Sequence, residues 1–238
     1  MSNMKKKKGL FKNILINFTL LLCLFAFLTI NRVLGSESKR DLMYYGLEKI
    51  NRKTFELYDM KKLRFEKLRK DLDQARQSSM NHVSKDSDFY LLKPTPFTVE
   101  ELDSALIGTG LEGLGKDFKE AEEKFGVNAI LLMAMAKHET GNGTSELFKD
   151  KNNLFGFNAY DDDPYNKATH FNSPGESINT VADHLKKEYL AKDGDYYKGV
   201  SPDAIGKSYA TDPDWASKVS NMMEEVASNM ISEYERLK

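Results

Sequence analysis

Cysteine is almost absent: Cys23 is the one cysteine among 238 residues, which excludes an intrachain disulfide framework and any cysteine-based zinc site. The four histidines, His82, His138, His170 and His184, lack metal-ligand spacing. A zinc-protease helix would need a second histidine four positions after His138, and Asn142 stands there. The sequence also lacks a Gly-x-Ser-x-Gly elbow, a phosphate-binding glycine loop and any internal repeat, and it calls for no cofactor or metal. Acidic residues are missing from the first 35 positions, which hold six basic ones (Lys5, Lys6, Lys7, Lys8, Lys12 and Arg32). The rest of the chain carries a net charge of −7, against −1 for the whole. Basic charge confined to one short end is not the electrostatic footprint of a nucleic-acid binder. With 40% hydrophobic and 30% charged residues, the remainder is able to bury one sizeable core.

Residues 14–30 carry no charge, and only Asn17, Thr19 and Thr29 are polar. Such a run, extended by Leu10, Phe11, Val33 and Leu34, predicts a transmembrane helix. The lysines before it predict a cytoplasmic N-terminus and an exported remainder. Cleavage as a signal peptide near Val33-Leu34-Gly35 is the competing reading, and would make the protein secreted. Cys23 lies in mid-run behind Leu22, a poor setting for lipid attachment. The run's polar residues could hydrogen-bond an integral-membrane partner. Residues 1–35 are therefore read as a basic end with an anchor in the lipid bilayer, 36–88 as a helical stalk or linker, and 89–238 as the catalytic domain.

Between 37 and 77 there is no proline and one glycine, Gly46, while Met43, Leu47, Ile50, Leu57, Met60, Leu68 and Leu72 recur at helical spacing. One or two amphipathic helices follow from this, acting as a stalk or packing on the next domain or a partner. Pro94 and Pro96 mark a boundary, and Thr98 with Glu101 has capping-box spacing for a helix through Leu106. A helix over 117–125 stops at Gly126, and Asn128 caps the next. Residues 129–136 are all apolar, so that helix is covered on every side, and it ends near Gly141-Asn142-Gly143. Glu139 falls on its last turn. Burial and the negative end of the helix dipole both disfavour the ionised carboxylate and should raise its pKa. A carboxyl still protonated near neutral pH is what glycoside cleavage needs to protonate the departing oxygen. The plainer alternative is a surface glutamate at a frayed helix end.

Three segments, in order, resemble the bacterial peptidoglycan N-acetylglucosaminidases of glycoside hydrolase family 73, autolysin-type enzymes of Gram-positive bacteria. They are 131–145, with Lys137-His138-Glu139-Thr140-Gly141-Asn142-Gly143, then 152–159, with Asn152-Asn153-Leu154-Phe155-Gly156-Phe157-Asn158-Ala159, and 209–219, with Tyr209-Ala210-Thr211-Asp212-Pro213-Asp214-Trp215. Trp215 stands where a tyrosine is more usual. The resemblance implies a lysozyme-like α+β fold, mainly helical with a small β-hairpin lobe. It also implies hydrolysis of the β-1,4 bond after N-acetylglucosamine in peptidoglycan glycan strands, with Glu139 as the general acid.

Residues 155–160 and 168–171 are read as two short strands around a turn at 161–167. A second carboxylate is needed unless the substrate's acetamido group replaces it. Glu176 is the candidate, although Ser173-Pro174-Gly175-Glu176 is also a capping box for a helix over 177–190, and Asp161, Asp162 and Asp163 are weaker ones. The resemblance points to Asn153, Phe155, Gly156, Tyr160, Tyr209, Asp214 and Trp215 for glycan binding. Tyr209 is placed on a loop before a helix starting at Asp212-Pro213, and Trp215 reads equally as core or cleft. Two rivals stay open: a lytic transglycosylase on the same fold, and a non-catalytic wall-binding scaffold of a membrane complex.

Overall fold

The computed structural model describes residues 38–159 and 163–237. The apolar run at 14–30 lies outside them, and no helix among the described residues is long and apolar enough to cross a membrane. Helix α1, Ser38–Ser78, passes through two compact units divided at Met60 and Lys61. In the first unit Tyr45, Leu47, Ile50, Leu57, Tyr58 and Met60 are exposed, and Arg52 pairs with Glu56 one turn on.

The second unit, from Lys61 onward, holds the core. Phe65, Leu68, Leu72 and Ala75 of α1 are buried in the same cluster as Phe89, Phe97, Phe118 and Leu131. This part of the predicted stalk is thus built into the globular unit. Ion pairs seal its edge: Arg64 to the buried Glu101, and Lys67 to Asp71 and Asp88. The capping box forms as expected. The Thr98 hydroxyl accepts from the Glu101 amide at 3.3 Å and the Glu101 carboxylate from the Thr98 amide at 3.0 Å, opening α2, Val99–Asp103, which a tighter turn extends through Leu106.

Helix α3, Gly115–Phe125, ends at Gly126 with φ +67°, a conformation cheap only for glycine. Helix α4, Ala129–Thr140, follows. The Asn128 carbonyl oxygen accepts from the Ile130 and Leu131 amides, while its amide nitrogen donates to the backbone oxygens of Asp88, Tyr90 and Lys93. One side chain therefore both caps α4 and pins the preceding loop. Residues 129–137 of α4 are buried without exception. Lys137, 1% exposed, pairs with Glu225 at 3.1 Å. Glu225 lies on α9, Trp215–Arg236, which runs along α4.

Between these come α5, Glu146–Lys151, α6, Pro164–Lys167, and α7, Pro174–His184, which continues as a wider π-type turn over Leu185–Tyr189. Helix α8, Pro202–Tyr209, completes the set. The fold is mainly α-helical, and the expected β-hairpin lobe is corrected: there is no strand among the described residues. Gly156 and Asn158 take φ of +63° and +61°, which breaks an extended run at 155–160. The segment is held instead by Asn153, whose amide nitrogen donates to the Phe157 and Thr169 carbonyls, both at 3.0 Å. Part of the expected turn is α6, capped by Asp163.

Candidate active site

The end of α4 presents Glu139. After Thr140 the chain turns sharply, with φ of +55° at Gly141, +61° at Asn142 and +81° at Gly143. The Thr140 hydroxyl locks this turn, donating to the Ala136 carbonyl at 2.6 Å and accepting from the Gly143 amide at 2.7 Å. From outside, the Gly110 amide donates to the Asn142 carbonyl at 2.9 Å. A β-carbon on Gly110 would lie 2.2 Å from the Gly143 oxygen, so the two backbones touch because neither residue has a side chain.

The Glu139 carboxyl is mostly withdrawn from solvent, and this burial holds its pKa above the ordinary glutamate value. The Trp215 indole N–H, donating to Oε1 at 2.8 Å, and the neighbouring His138 pull in the opposite direction without cancelling the effect. Beside it stands Tyr209, whose phenol is pushed well above its usual value, first by burial and then by the nearby Glu139 and Tyr189.

Rings continue outward from the acid. Tyr209 lies 4.9 Å from Trp215 and 5.7 Å from Tyr189; Tyr189 is 5.0 Å from Tyr196 and 5.6 Å from His184. His184 then meets Phe157 edge-on at 5.7 Å, and Phe157 lies 6.3 Å from Phe171. An aromatic row thus connects the acid to the loop held by Asn153. Trp215, Tyr189 and Phe171 are buried within the row, and Tyr196 is its exposed ring, the one open to the C–H surface of a sugar. No group of three His, Cys, Asp or Glu among the described residues is placed to hold a metal ion.

The predicted residues fall into different places. Glu139, Tyr209 and Trp215 come together. Tyr209 is the last residue of α8, not part of a loop, and α9 begins at Trp215, not at Asp212-Pro213. Trp215 is 2% exposed, core by accessibility, yet it reaches the acid with its one polar atom. Asn153 and Phe155 are buried, and Gly156 supplies the left-handed turn between them and Phe157, so all three shape the loop. Asp214 is exposed and donates its backbone N–H to the Asp212 carboxylate at 2.9 Å. The Ser173 hydroxyl caps α7 by accepting from the Glu176 amide at 3.1 Å, but the exposed Glu176 carboxylate accepts from the Asn172 backbone and side-chain nitrogens at 2.7 and 2.8 Å and not from the Ser173 amide that a full capping box would use. Tyr160, Asp161 and Asp162 lie outside the described residues. Sequence reasoning missed Tyr189, Tyr196, His184 and Phe157. Tyr196-Tyr197 in the polar stretch 191–198, with Tyr196 43% exposed, was the available signal.

A carboxyl whose burial favours its protonated form, set at the end of an aromatic row, is equipment that a glycoside hydrolase needs. Residues 115–228 match the glucosaminidase family, described as mannosyl-glycoprotein endo-beta-N-acetylglucosaminidase. A putative endo-beta-N-acetylglucosaminidase of Streptococcus pneumoniae is 34% identical over 141 residues, covering 57% of this chain and 21% of its own length. The bifunctional autolysin of Staphylococcus aureus is 31% identical over 150 residues, covering 52% of this chain and 12% of its own. The chain thus spans about a fifth or less of the curated relatives it matches. Among solved structures, S. aureus autolysin E in complex with the muropeptide NAM-L-Ala-D-iGlu is 30% identical over 58% of this chain and 70% of that one, with TM-score 0.46. A second structure of S. aureus autolysin E reaches 0.49, at 29% identity over 63% of this chain and 75% of that one. Residues 115–228 are thus a glucosaminidase-family segment, the family being one of glycoside hydrolases.

Proposed function

We propose that this protein is a peptidoglycan hydrolase, an endo-β-N-acetylglucosaminidase that cleaves the β-1,4 bond between N-acetylglucosamine and N-acetylmuramic acid. The observation that carries the reading is the Glu139 carboxyl, protonated more readily than an ordinary glutamate by its burial and set at the end of the aromatic row. The name of the pneumococcal relative supports the bond assignment, and that of the staphylococcal autolysin supports the cell wall as substrate. Glu139 donates its proton to the glycosidic oxygen as the bond to the anomeric carbon breaks, and the resulting carboxylate takes a proton back from the water that completes hydrolysis. The partner group in our reading is the acetamido oxygen of the substrate, because the carboxylate of Glu176 is engaged by Asn172 at the start of α7. Residues 14–30 tether the enzyme to the cell membrane with the catalytic domain facing the wall; their uninterrupted apolar character and the lysines before them support this. Such a tether confines cleavage to glycan near the membrane.

The test is mass spectrometry of borohydride-reduced muropeptides from peptidoglycan treated with the full chain in detergent and with its Glu139→Gln variant. Reduced N-acetylglucosamine ends from the wild type alone are the expected result. Anhydro-muramic ends would replace hydrolysis by lytic transglycosylation, and binding without product would make the protein a scaffold.

A further inference from the structure

We infer that Trp215 is a positioning residue that assigns the two oxygens of Glu139, its indole N–H holding Oε1 as a permanent acceptor and leaving Oε2 to carry the proton delivered to the glycosidic oxygen. This rests on the proposed role of Glu139 as the acid. An indole nitrogen is a donor with no acceptor capacity, and here it meets Oε1 at 2.8 Å. A proton on Oε1 would face that N–H, so the neutral carboxyl is confined to the form protonated on Oε2. Once the proton has left, the same N–H faces a carboxylate and the bond becomes charge-assisted. The interaction is therefore stronger after transfer than before, which favours the transition state over the ground state.

The indole is held for this task. Trp215 is 2% exposed, it is the first residue of α9, and its ring packs 4.9 Å from Tyr209. Gly206 on α8 makes room for it: a β-carbon there would approach Cε3 to 3.1 Å. The titratable groups around Glu139 are His138 on its own helix, Tyr209 on α8, and beyond His138 the Asp212 carboxylate, itself held by Lys218. On the flank of α4 that faces α9, Lys137 and Glu225 neutralise each other. None of these replaces the directional donor to Oε1.

The experiment compares the full chain with Trp215→Phe and with a variant carrying β-(3-benzothienyl)alanine at 215, which keeps the indole shape and lacks its N–H. Removing a hydrogen bond from the charged form raises the acid's pKa. The alkaline limb of the kcat/KM profile should therefore move up by about one pH unit, and kcat should fall about tenfold with KM within about twofold of wild type. The isotope-edited infrared carboxyl band of Glu139, identified by its loss in Glu139→Gln, should titrate upward by the same amount. That band is read without substrate, so it judges Trp215 even if the glucosaminidase reading fails. An unchanged titration and pH profile in the benzothienyl variant, with wild-type thermal stability, would overturn the inference. A change in KM alone would overturn it too, by making Trp215 a sugar-binding residue.

Discussion

Glu139 combines two demands that oppose each other. The fold raises its pKa by burial, so the folded protein binds this proton more tightly than the unfolded chain does. Between the unfolded and folded pKa values the native state holds more protons, and the stability contributed by this site falls as pH rises through that window. Glu139→Gln is expected to lower kcat by about 10²–10⁴-fold while flattening that part of the stability curve and raising Tm slightly above it; activity assays and calorimetry across pH check both. Tyr196 poses the opposite case, an exposed ring at the outer reach of the aromatic row. Tyr196→Ala should raise KM for glycan severalfold with kcat nearly unchanged, and should cost less than about 1 kcal/mol in denaturant unfolding. The place of Glu139 was legible in the sequence because an apolar run, a cap and a glycine stop fix where α4 ends. The row was not, since its rings come from segments around 157, 171, 184–196, 209 and 215, which only the fold brings together.

Most helices could be read because each is bounded by local chemistry: Thr98, Asn128, Ser173 and Ser201 all accept from amides at helix starts. The hairpin reading failed for an equally local reason. Alternation of apolar residues at 155–160 signals a strand, but Asn153 spends both ends of its side chain on backbone and folds the segment over itself. Two predictions belong to this scale. Asn128→Ala removes a cap and the side-chain donor to the Asp88 and Lys93 carbonyls, while the Tyr90 carbonyl keeps the Lys93 amide, so chemical denaturation should show a loss of about 3 kcal/mol. Gly110→Ala forces a side chain against the turn that follows Glu139. It should cost about 3 kcal/mol and reduce kcat as well, a pairing that Asn128→Ala, at the far end of α4, should not show once stability is restored by temperature.

At the scale of the whole molecule, the sequence places a boundary near residue 89 and the structure places one at residue 61. The reason is that an amphipathic stripe shows that a helix face is to be covered without saying by what. Phe65, Leu68, Leu72 and Met80 go into the same core as α4. A fragment of residues 61–238 should unfold cooperatively, whereas one of 89–238 loses these side chains, at about 1.5–3 kcal/mol each. That is comparable with the entire stability of a domain, and the shorter fragment should lack a near-ultraviolet circular dichroism signal. A last consequence concerns the bond between the acid and its indole donor, whose residues stand 76 apart in sequence. No stretch of chain emerging from a ribosome or a translocation pore contains both until residue 215 has passed. Under the proposed function, cleavage therefore waits until both residues have been made and brought together by the fold, which keeps the acid without its donor during synthesis.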